Sequence, residues 1–431
     1  MNYEPLSGLK PNPRDPRQYG PADRRRVVAS VRRFGPPPMV VTPDRVMLSG
    51  NIWFDAAKAA GYDEAPVLVA EHLSPAEADA FMLANVRLVE RGTWDERQLG
   101  EILRDLSVGE LELELELTGF EPAEIDLAIQ GGDGEAPDAA DELPPLGTAV
   151  SRSGDLWRLG DHLLFCGSAL EGASYERLTA GSSAAVLIAD PPYNVRIAGN
   201  VSGLGKVKHG DFVMAAGEMT EAEFTDFLVR SLGLAAERCV DPSVAYVFMD
   251  WRHMHELIVA GRRVFDKLIN LCVWTKTNGG KGSFYRSAHE LIFVLKKGRA
   301  PHRNNIQYGR FGRDRRNVWS YPGVVGFGRH GEEGDLLALH PTVKPVALLQ
   351  DILLDVTVRG DVVLDPFAGS GSTFIAAERT GRKARGLELH PPYVDVAVRR
   401  WQRWSGEAAR LDGDGRTFAE IEAERAEGDA P

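Results

Sequence analysis

The sequence predicts an α/β fold, a doubly wound, mostly parallel sheet preceded by a smaller α+β module. Three observations carry this. From about residue 150 onward, short apolar runs of strand type alternate with segments of helical period, the pattern of strands joined by crossover helices. The run Val362–Leu364 leads into a Gly-rich turn and then a helix, Thr373–Thr380, ended by Gly381. Ahead of residue 130, helical and strand segments are short and mixed. A length of 431 residues suggests two or three domains.

In the N-terminal module, Arg24–Phe34 has helical spacing, and Met39–Thr42 and Val46–Leu48 are strand candidates around a turn. Asp55–Ala60 is helical and stops at Gly61, and Val67–Val69 is a further strand. Ser74-Pro75-Ala76-Glu77 is a capping box with Pro at the first helical position, so a helix runs from Pro75 towards Leu88. Glu110–Leu117 alternates Glu with Leu, which fits a half-exposed strand or an irregular acidic stretch beside a helix. In the C-terminal module, Leu156–Leu159 and Leu163–Cys166 flank Gly160-Asp161 as a hairpin. Ala184–Ala189 is a buried strand ending at Asp190. Thr220–Glu223 caps a helix that reaches about Arg238, and Val244–Met249, Ile269–Trp274, Leu291–Leu295 and Arg385–Leu389 complete the strands.

Composition is that of a globular protein, with 43% hydrophobic and 26% charged residues, so wholesale disorder is excluded. No run of 18 apolar residues suggests a membrane span, and the N-terminus lacks the apolar stretch of a signal peptide. Cys166, Cys239 and Cys272 form no CxxC, which argues against a disulfide framework or a metal site. Reduced thiols and a cytoplasmic location are the expectation. The net charge of −12 argues on its face against a nucleic-acid partner, but it is unevenly spread. Residues 105–151 hold 13 acidic and no basic side chains, so the rest of the chain is at +1. Residues 252–329 hold 16 basic against 4 acidic side chains. The expected organisation is a module over 1–130, an acidic linker over 131–148, a large domain over 149–405 and an acidic tail over 406–431.

Three motifs carry chemistry. Asp190-Pro191-Pro192-Tyr193 follows an apolar strand, where open α/β sheets place ligands. Two prolines remove the backbone N–H groups and leave carbonyls as acceptors beside the Asp190 carboxylate and the flat face of Tyr193. That set suits a planar group bearing an NH2. The turn Asp365-Pro366-Phe367-Ala368-Gly369-Ser370-Gly371-Ser372-Thr373 lies between a strand and a helix, and Glu388 ends the next strand, 19 residues after Gly369. This is the geometry for a nucleoside whose ribose hydroxyls bond to a carboxylate. No Gly-Lys-Ser/Thr follows, so it is not a phosphate loop. The third motif is His340-Pro341-Thr342-Val343-Lys344-Pro345.

Together the three resemble the S-adenosylmethionine-dependent amino-methyltransferases of DNA. DPPY precedes the cofactor turn by about 175 residues, which resembles the permuted β-group of that family, with target-recognition sequence between the two motifs (about 252–330). The resemblance covers about 150–405 and implies a Rossmann-like methyltransferase sheet. It implies a cofactor site of Asp365, Phe367, Gly369, Gly371, Ser372, Thr373 and Glu388, with His340, Thr342 and Lys344 from the third motif. Where the family usually reads Cys-Gly-Asp, this chain has Cys166-Gly167-Ser168, so Ser168 replaces a carboxylate with a hydroxyl. Segments 270–298 and 302–323 resemble a subgroup in bacterial genomes and phages that carries a ParB-like domain ahead of the methylase. LKPNPRDPR, VVASVRRFG and LSGNIWFDAAKAAG resemble that domain. Its Gly-His-x-Arg sequence is replaced here by Gly50-Asn51-Ile52-Trp53, which argues against nucleotide hydrolysis or nuclease action and leaves DNA docking or a scaffold role open.

The resemblance implies transfer of a methyl group to the N6 amine of adenine in double-stranded DNA. Asp190 and the Pro191 carbonyl would take the amine hydrogens, and Tyr193 would stack on a flipped base. Candidate DNA contacts are Lys276, Lys281, Arg286, Arg303, Asn304, Asn305, Arg310, Arg313, Arg315 and Arg316. Loop Thr277–Ser283 suits backbone phosphate, and segment Arg196–Asp211 suits a closing loop. Cytosine N4, a protein glutamine amide, an RNA base and a non-catalytic DNA-docking role are the alternatives. A homodimer and a cognate restriction endonuclease stay open.

Overall fold

Apolar runs such as Ala184–Ala189 become strands buried on both faces in a computed structural model of the chain. It describes residues 2–92, 94–108, 115–130, 139–145, 147–195, 217–276, 285, 287–309, 313–321 and 343–428. Two units divide at Asp133 and Gly134.

The N-terminal unit comprises β1 (Asn2–Pro5), α1 (Pro21–Phe34), β2 (Met39–Val41), β3 (Met47–Ser49), α2 (Asn51–Ala60), β4 (Glu64–Val69), α3 (Pro75–Arg87), α4 (Glu96–Val108) and α5 (Pro122–Gln130). Its strands form one sheet in the order β1-β4-β2-β3, over a core that includes Met39, Val41, Met47, Phe54 and Val67. The capping box at Ser74 forms: Ser74 Oγ accepts from the Glu77 N–H, and the Glu77 carboxylate accepts from the Ser74 N–H. Gly50 is left-handed, and Asn51 behind it is tied on both sides. Its Oδ1 accepts from the Asn12 N–H at 3.0 Å and its Nδ2 donates to Asp15 at 2.6 Å. Helices α4 and α5 close on Leu103, Leu115, Ile125 and Ile129, and a side chain at Gly100 would collide with the Ala128 carbonyl. Of the Glu/Leu alternation, residues 115–118 form a single 3-10 turn with Leu115 buried, the irregular of the two expectations. A strand would leave Leu115 without this helical pocket.

The C-terminal unit comprises β5 (Leu156–Leu159), β6 (His162–Cys166), α6 (Gly172–Thr179), β7 (Ala184–Ala189), α7 (Glu221–Glu237), β8 (Cys239–Met249), α8 (Met254–Val264), β9 (Lys267–Thr275), β10 (His289–Lys297), β11 (Val318–Ser320), α9 (Val346–Val356), β12 (Val362–Asp365), α10 (Ser372–Thr380), β13 (Lys383–Glu388), α11 (Pro391–Ser405), β14 (Arg410–Leu411) and α12 (Phe418–Gly428). Ten strands form one mixed sheet in the order β11-β9-β10-β8-β7-β12-β13-β6-β5-β14. The centre, β8-β7-β12-β13-β6, is parallel. One face packs against α9, α10 and α11, the other against α6, α7 and α8, so the sheet is doubly wound. β7 and β12 are neighbours, with Val186 opposite Val363 and Leu187 opposite Leu364.

Three sequence expectations are corrected by packing. The linker expected over 131–148 is not free throughout. Ala140 is buried, its carbonyl accepts from Arg400 Nε at 2.8 Å, and Asp141 Oδ1 accepts from the Val346 N–H at 2.9 Å. The Asp141 carboxylate and the Ala140 carbonyl here answer donors of α9 and α11, so the segment docks instead of floating. The acidic tail over 406–431 likewise contributes Phe418, its ring tilted 55° to that of Trp157 with centroids 5.1 Å apart, and Arg425, paired with Asp155. Finally, Asn305, Arg313 and Arg315 do not face solvent as DNA contacts would. The Asn305 amide donates to the carbonyls of Leu354 and Thr357, both at 2.8 Å. Arg313 and Arg315 each pair with both Asp351 and Asp355 on α9. A guanidinium buried without a partner is costly, so carboxylates one helical turn apart hold both.

Arg313→Ala therefore tests this correction. Breaking a buried pair costs about 3–5 kcal/mol, so the urea midpoint of the variant should fall markedly while its DNA affinity when folded changes little. A DNA-reading arginine would give the reverse, with unchanged stability and a large loss of affinity.

Candidate active site

Parallel strands deliver their carboxyl ends to one edge of the sheet, and the predicted motifs lie there. Asp365 ends β12 and Glu388 ends β13. Ser168 follows β6, whose Cys166 is in register with Glu388. The turn after β12 is organised from within. Asp365 Oδ1 accepts from the Phe367 N–H at 3.0 Å and Oδ2 from Thr373 Oγ1 at 2.5 Å. Glu388 Oε2 accepts from the Gly369 N–H at 2.9 Å and Oε1 from the His390 N–H at 2.8 Å. Burial pushes both carboxyls up, to about 7. Neither has a salt-bridge partner among the described residues. Ser168 Oγ accepts from the Leu170 N–H, and Phe367 is half-buried, 6.2 Å from Phe227.

Three of the predicted cofactor residues have work inside the protein. The Thr373 hydroxyl is buried against Asp365, and Ser372 Oγ accepts from Arg400 Nη1 at 2.9 Å. Arg400 also reaches the Ser370 carbonyl and hydroxyl, so one buried guanidinium fixes the back of the turn. Gly371 is left-handed (φ +83°), and a Cβ there would sit 2.7 Å from the Ala397 Cβ. The close approach that demands glycine at 371 is that of α11, not of a ligand.

On the neighbouring strand, Asp190 follows β7 and enters a cluster of charges. Tyr193 Oη donates to Asp190 Oδ1 at 2.6 Å, and Lys344 Nζ donates to Asp190 Oδ2 at 2.5 Å. Glu290, near the start of β10, lies on the same edge. Its Oε2 is 3.2 Å from Lys344 Nζ and 3.1 Å from Tyr193 Oη, and its Oε1 accepts from Lys276 Nζ at 2.5 Å. Lys344 is 6% exposed and Glu290 7%. Burial raises the carboxyl of Asp190, and Glu290 adds to this against the pull of Lys344. Burial also works to raise Glu290, but Lys344 and Lys276 outweigh it and hold its carboxyl at about 2. Burial works to lower Lys344, and the two carboxylates reverse this and raise it, so it stays an ammonium. Tyr193 is raised well above its ordinary value, by burial first and then by Asp190 and Glu290, so it remains a donor. Pro191 is buried and Pro192 half-buried. Asn194 ties the chain after the motif to 217–219: its Oδ1 accepts from the N–H groups of Gly217 and Met219.

Among the described residues the Lys344 ammonium is paired with Asp190 and Glu290. Lys276, expected on DNA, is likewise paired with Glu290 and lies over the Trp274 ring at 4.7 Å. Asn304 caps a turn, its Oδ1 accepting from the N–H groups of Ile306 and Gln307, while Arg303 and Arg316 are exposed. His340, Thr342, Lys281, Arg286 and Arg310, the Thr277–Ser283 loop and Arg196–Asp211 lie outside the described residues. Sequence reasoning missed Glu290, Arg400 and the Asp351/Asp355 pair. The first two had one weak signal each, a lone charge entering an apolar strand and an arginine set beside Ala397 and Trp401 on the buried side of a helix.

A family model described as "DNA methylase" matches residues 184–399, half of the chain. A second, described as "ParB-methyltransferase HTH domain", matches 98–153, which takes in α4, α5 and the docked connector, not residues 1–97. Over 146 residues the chain is 33% identical to the methylase YubD of Escherichia coli (strain K12), covering 34% of this chain and 56% of that protein, so it spans about half the length of that relative. It is 27% identical over 227 residues to the Type II methyltransferase M2.DpnII of Streptococcus pneumoniae, covering 50% of this chain and 81% of that one. Among solved structures, the PvuII DNA methyltransferase (cytosine-N4-specific) aligns with 60% of this chain and 89% of its own, at 17% identity and a TM-score of 0.41. With the family match running from β7 into α11, across both halves of the site, the chain belongs to the DNA methylase family and carries a ParB-methyltransferase HTH domain.

Proposed function

We propose that this protein transfers a methyl group from S-adenosylmethionine to the N6 amine of adenine in double-stranded DNA, in the cytoplasm of a bacterium or of a phage-infected cell. The observation that carries the reading is the pairing of β7 with β12, which sets the acceptor-rich Asp190 motif beside the turn between Asp365 and Thr373. The donor set suits the cofactor. Among the described residues Glu388 and Asp365 form no salt bridge, and a ligand with ribose hydroxyls and a positive charge supplies partners for both. When bound, the cofactor provides an electrophilic methyl group on a cationic sulfur.

The chain's own residues then have separable tasks. Asp190 accepts an N–H of the target amine, which turns the nitrogen lone pair out of the ring, and takes the proton that the nitrogen sheds on methylation. Pro191 and Pro192 offer carbonyls only. The base must leave the duplex, costing a few kcal/mol, and stacking on Tyr193 returns about 1–3 kcal/mol. Arg303, Arg316 and the basic residues Lys281, Arg286 and Arg310 are proposed to hold DNA, with α4 and α5 as a second docking element. Asp at position 190, where the adenine enzymes of the resembled family carry it more often than Ser, favours adenine.

Two experiments test the reading. Incubation with methyl-labelled cofactor and unmethylated DNA, followed by digestion to nucleosides, should place the label in N6-methyladenine. Label in N4-methylcytosine or in no nucleoside contradicts it. Second, carboxyls near pH 7 must be ionised to favour a cationic ligand. Cofactor affinity should therefore weaken from pH 8 to pH 6, by up to about ten-fold for each carboxylate the ligand prefers ionised. Glu388→Gln should lower affinity at pH 8 and flatten the profile. A wild-type profile that is already flat, or a variant slope equal to it, contradicts the assignment.

A further inference from the structure

Each oxygen of the Asp190 carboxylate already accepts one hydrogen bond from the chain. Tyr193 Oη donates to Oδ1 at 2.6 Å and Lys344 Nζ to Oδ2 at 2.5 Å. A carboxylate paired with an ammonium is a weaker acceptor for a neutral amine, because its charge is already compensated. For Asp190 to receive a target N–H at full strength, the ammonium must move away. Lys344 is 6% exposed, so it cannot simply return to water, and an ammonium buried without a partner is costly. One other carboxylate lies within its reach among the described residues, Glu290, with Oε2 at 3.2 Å. Lys276 occupies Glu290 through Oε1, the other oxygen, so Oε2 is the one turned towards Lys344 and Tyr193.

We propose that Lys344 is a displaceable cap on Asp190 and that Glu290 is the positioning residue that receives its ammonium when the target amine arrives. The exchange moves no covalent bond and no net charge. The lysine passes from one carboxylate to another that is already 3.2 Å from it, and the amine hydrogen takes the vacated acceptor. The capped state keeps a buried carboxylate paired while no base is present, and the uncapped state makes Asp190 the strongest acceptor at the site only when a base fills it. Tyr193 shares the arrangement, since the same Glu290 oxygen is 3.1 Å from its hydroxyl. This rests on the methyl-transfer reading above.

Glu290→Gln keeps the shape of the side chain and removes the charge that receives the lysine. Cofactor affinity by calorimetry should stay near wild type, while the melting temperature should fall, because Lys276 and Lys344 lose a buried carboxylate. Single-turnover methylation of DNA at saturating cofactor should fall by about a hundred-fold, the scale of a misplaced reacting group. Adding Lys344→Gln to Glu290→Gln should then restore about ten-fold of the loss, because no lysine is left to displace. A merely structural cluster predicts the opposite, a double variant no faster than the single. The proposal is overturned if Glu290→Gln methylates at the wild-type rate, or if the double variant equals or falls below it. Should Glu290→Gln not fold, the same comparison runs on Glu290→Asp, whose retained charge predicts a smaller loss and the same rescue. Wild-type protein that labels no DNA overturns the methyl-transfer reading together with this one. Active wild type with an equally active Glu290→Gln overturns the hand-over alone.

Discussion

Parallel pairing between β7 and β12 decides what the two halves of this site can do together. Val186 faces Val363 and Leu187 faces Leu364, so the turns that follow the two strands emerge side by side although 175 residues separate Asp190 from Asp365. The strands between them in sequence, β8, β10, β9 and β11, extend the sheet on the β7 side. The insertion nevertheless returns to the centre: β10 runs antiparallel to β8 and brings Glu290 to the edge where Asp190 lies. A carboxylate from the insertion and a lysine from the segment before α9 thereby meet the carboxylate of the DPPY motif.

Charge in the C-terminal unit follows one rule, that a buried ion is held by an opposite ion or by several donors. Arg313 and Arg315 answer Asp351 and Asp355, Lys276 and Lys344 answer Glu290 and Asp190, and Arg400 answers Asp141 and the serines of the turn after β12. Among the described residues Asp365 and Glu388 are held in the second way, by hydroxyl and backbone N–H groups with no salt bridge, and they flank the turn where a cationic ligand is proposed to bind. The basic stretch over 252–329 is correspondingly less available to DNA than its charge suggests, because part of it is neutralised by α9 and Glu290.

Much of the fold was legible. The apolar runs mark the central strands because a parallel sheet covered on both faces needs continuous apolar residues, and the capping boxes at Ser74 and Thr220 mark helix starts because their geometry is local. The motifs located both halves of the candidate site. What stayed hidden depended on contacts distant in sequence. Nothing near Arg313 signals Asp351 or Asp355, and nothing near Gly371 signals the Ala397 methyl. The buried part of the connector was obscured by its acidity, since Asp141 and the Ala140 carbonyl meet donors more than 200 residues away. The pairing of Lys344 with Asp190 stayed hidden because sequence order sets the lysine just before the glycine turn, far from the DPPY motif.

The central claim is that cofactor binding and amine activation reside on neighbouring strands and can be separated. Asp190→Ala in the full chain tests it most directly, with cofactor affinity and single-turnover methyl transfer measured on the same preparation. Loss of one such group should slow transfer by about a hundred- to a thousand-fold while the cofactor still binds with an affinity close to that of the wild type. Transfer at an undiminished rate, or loss of cofactor binding along with it, would contradict the account.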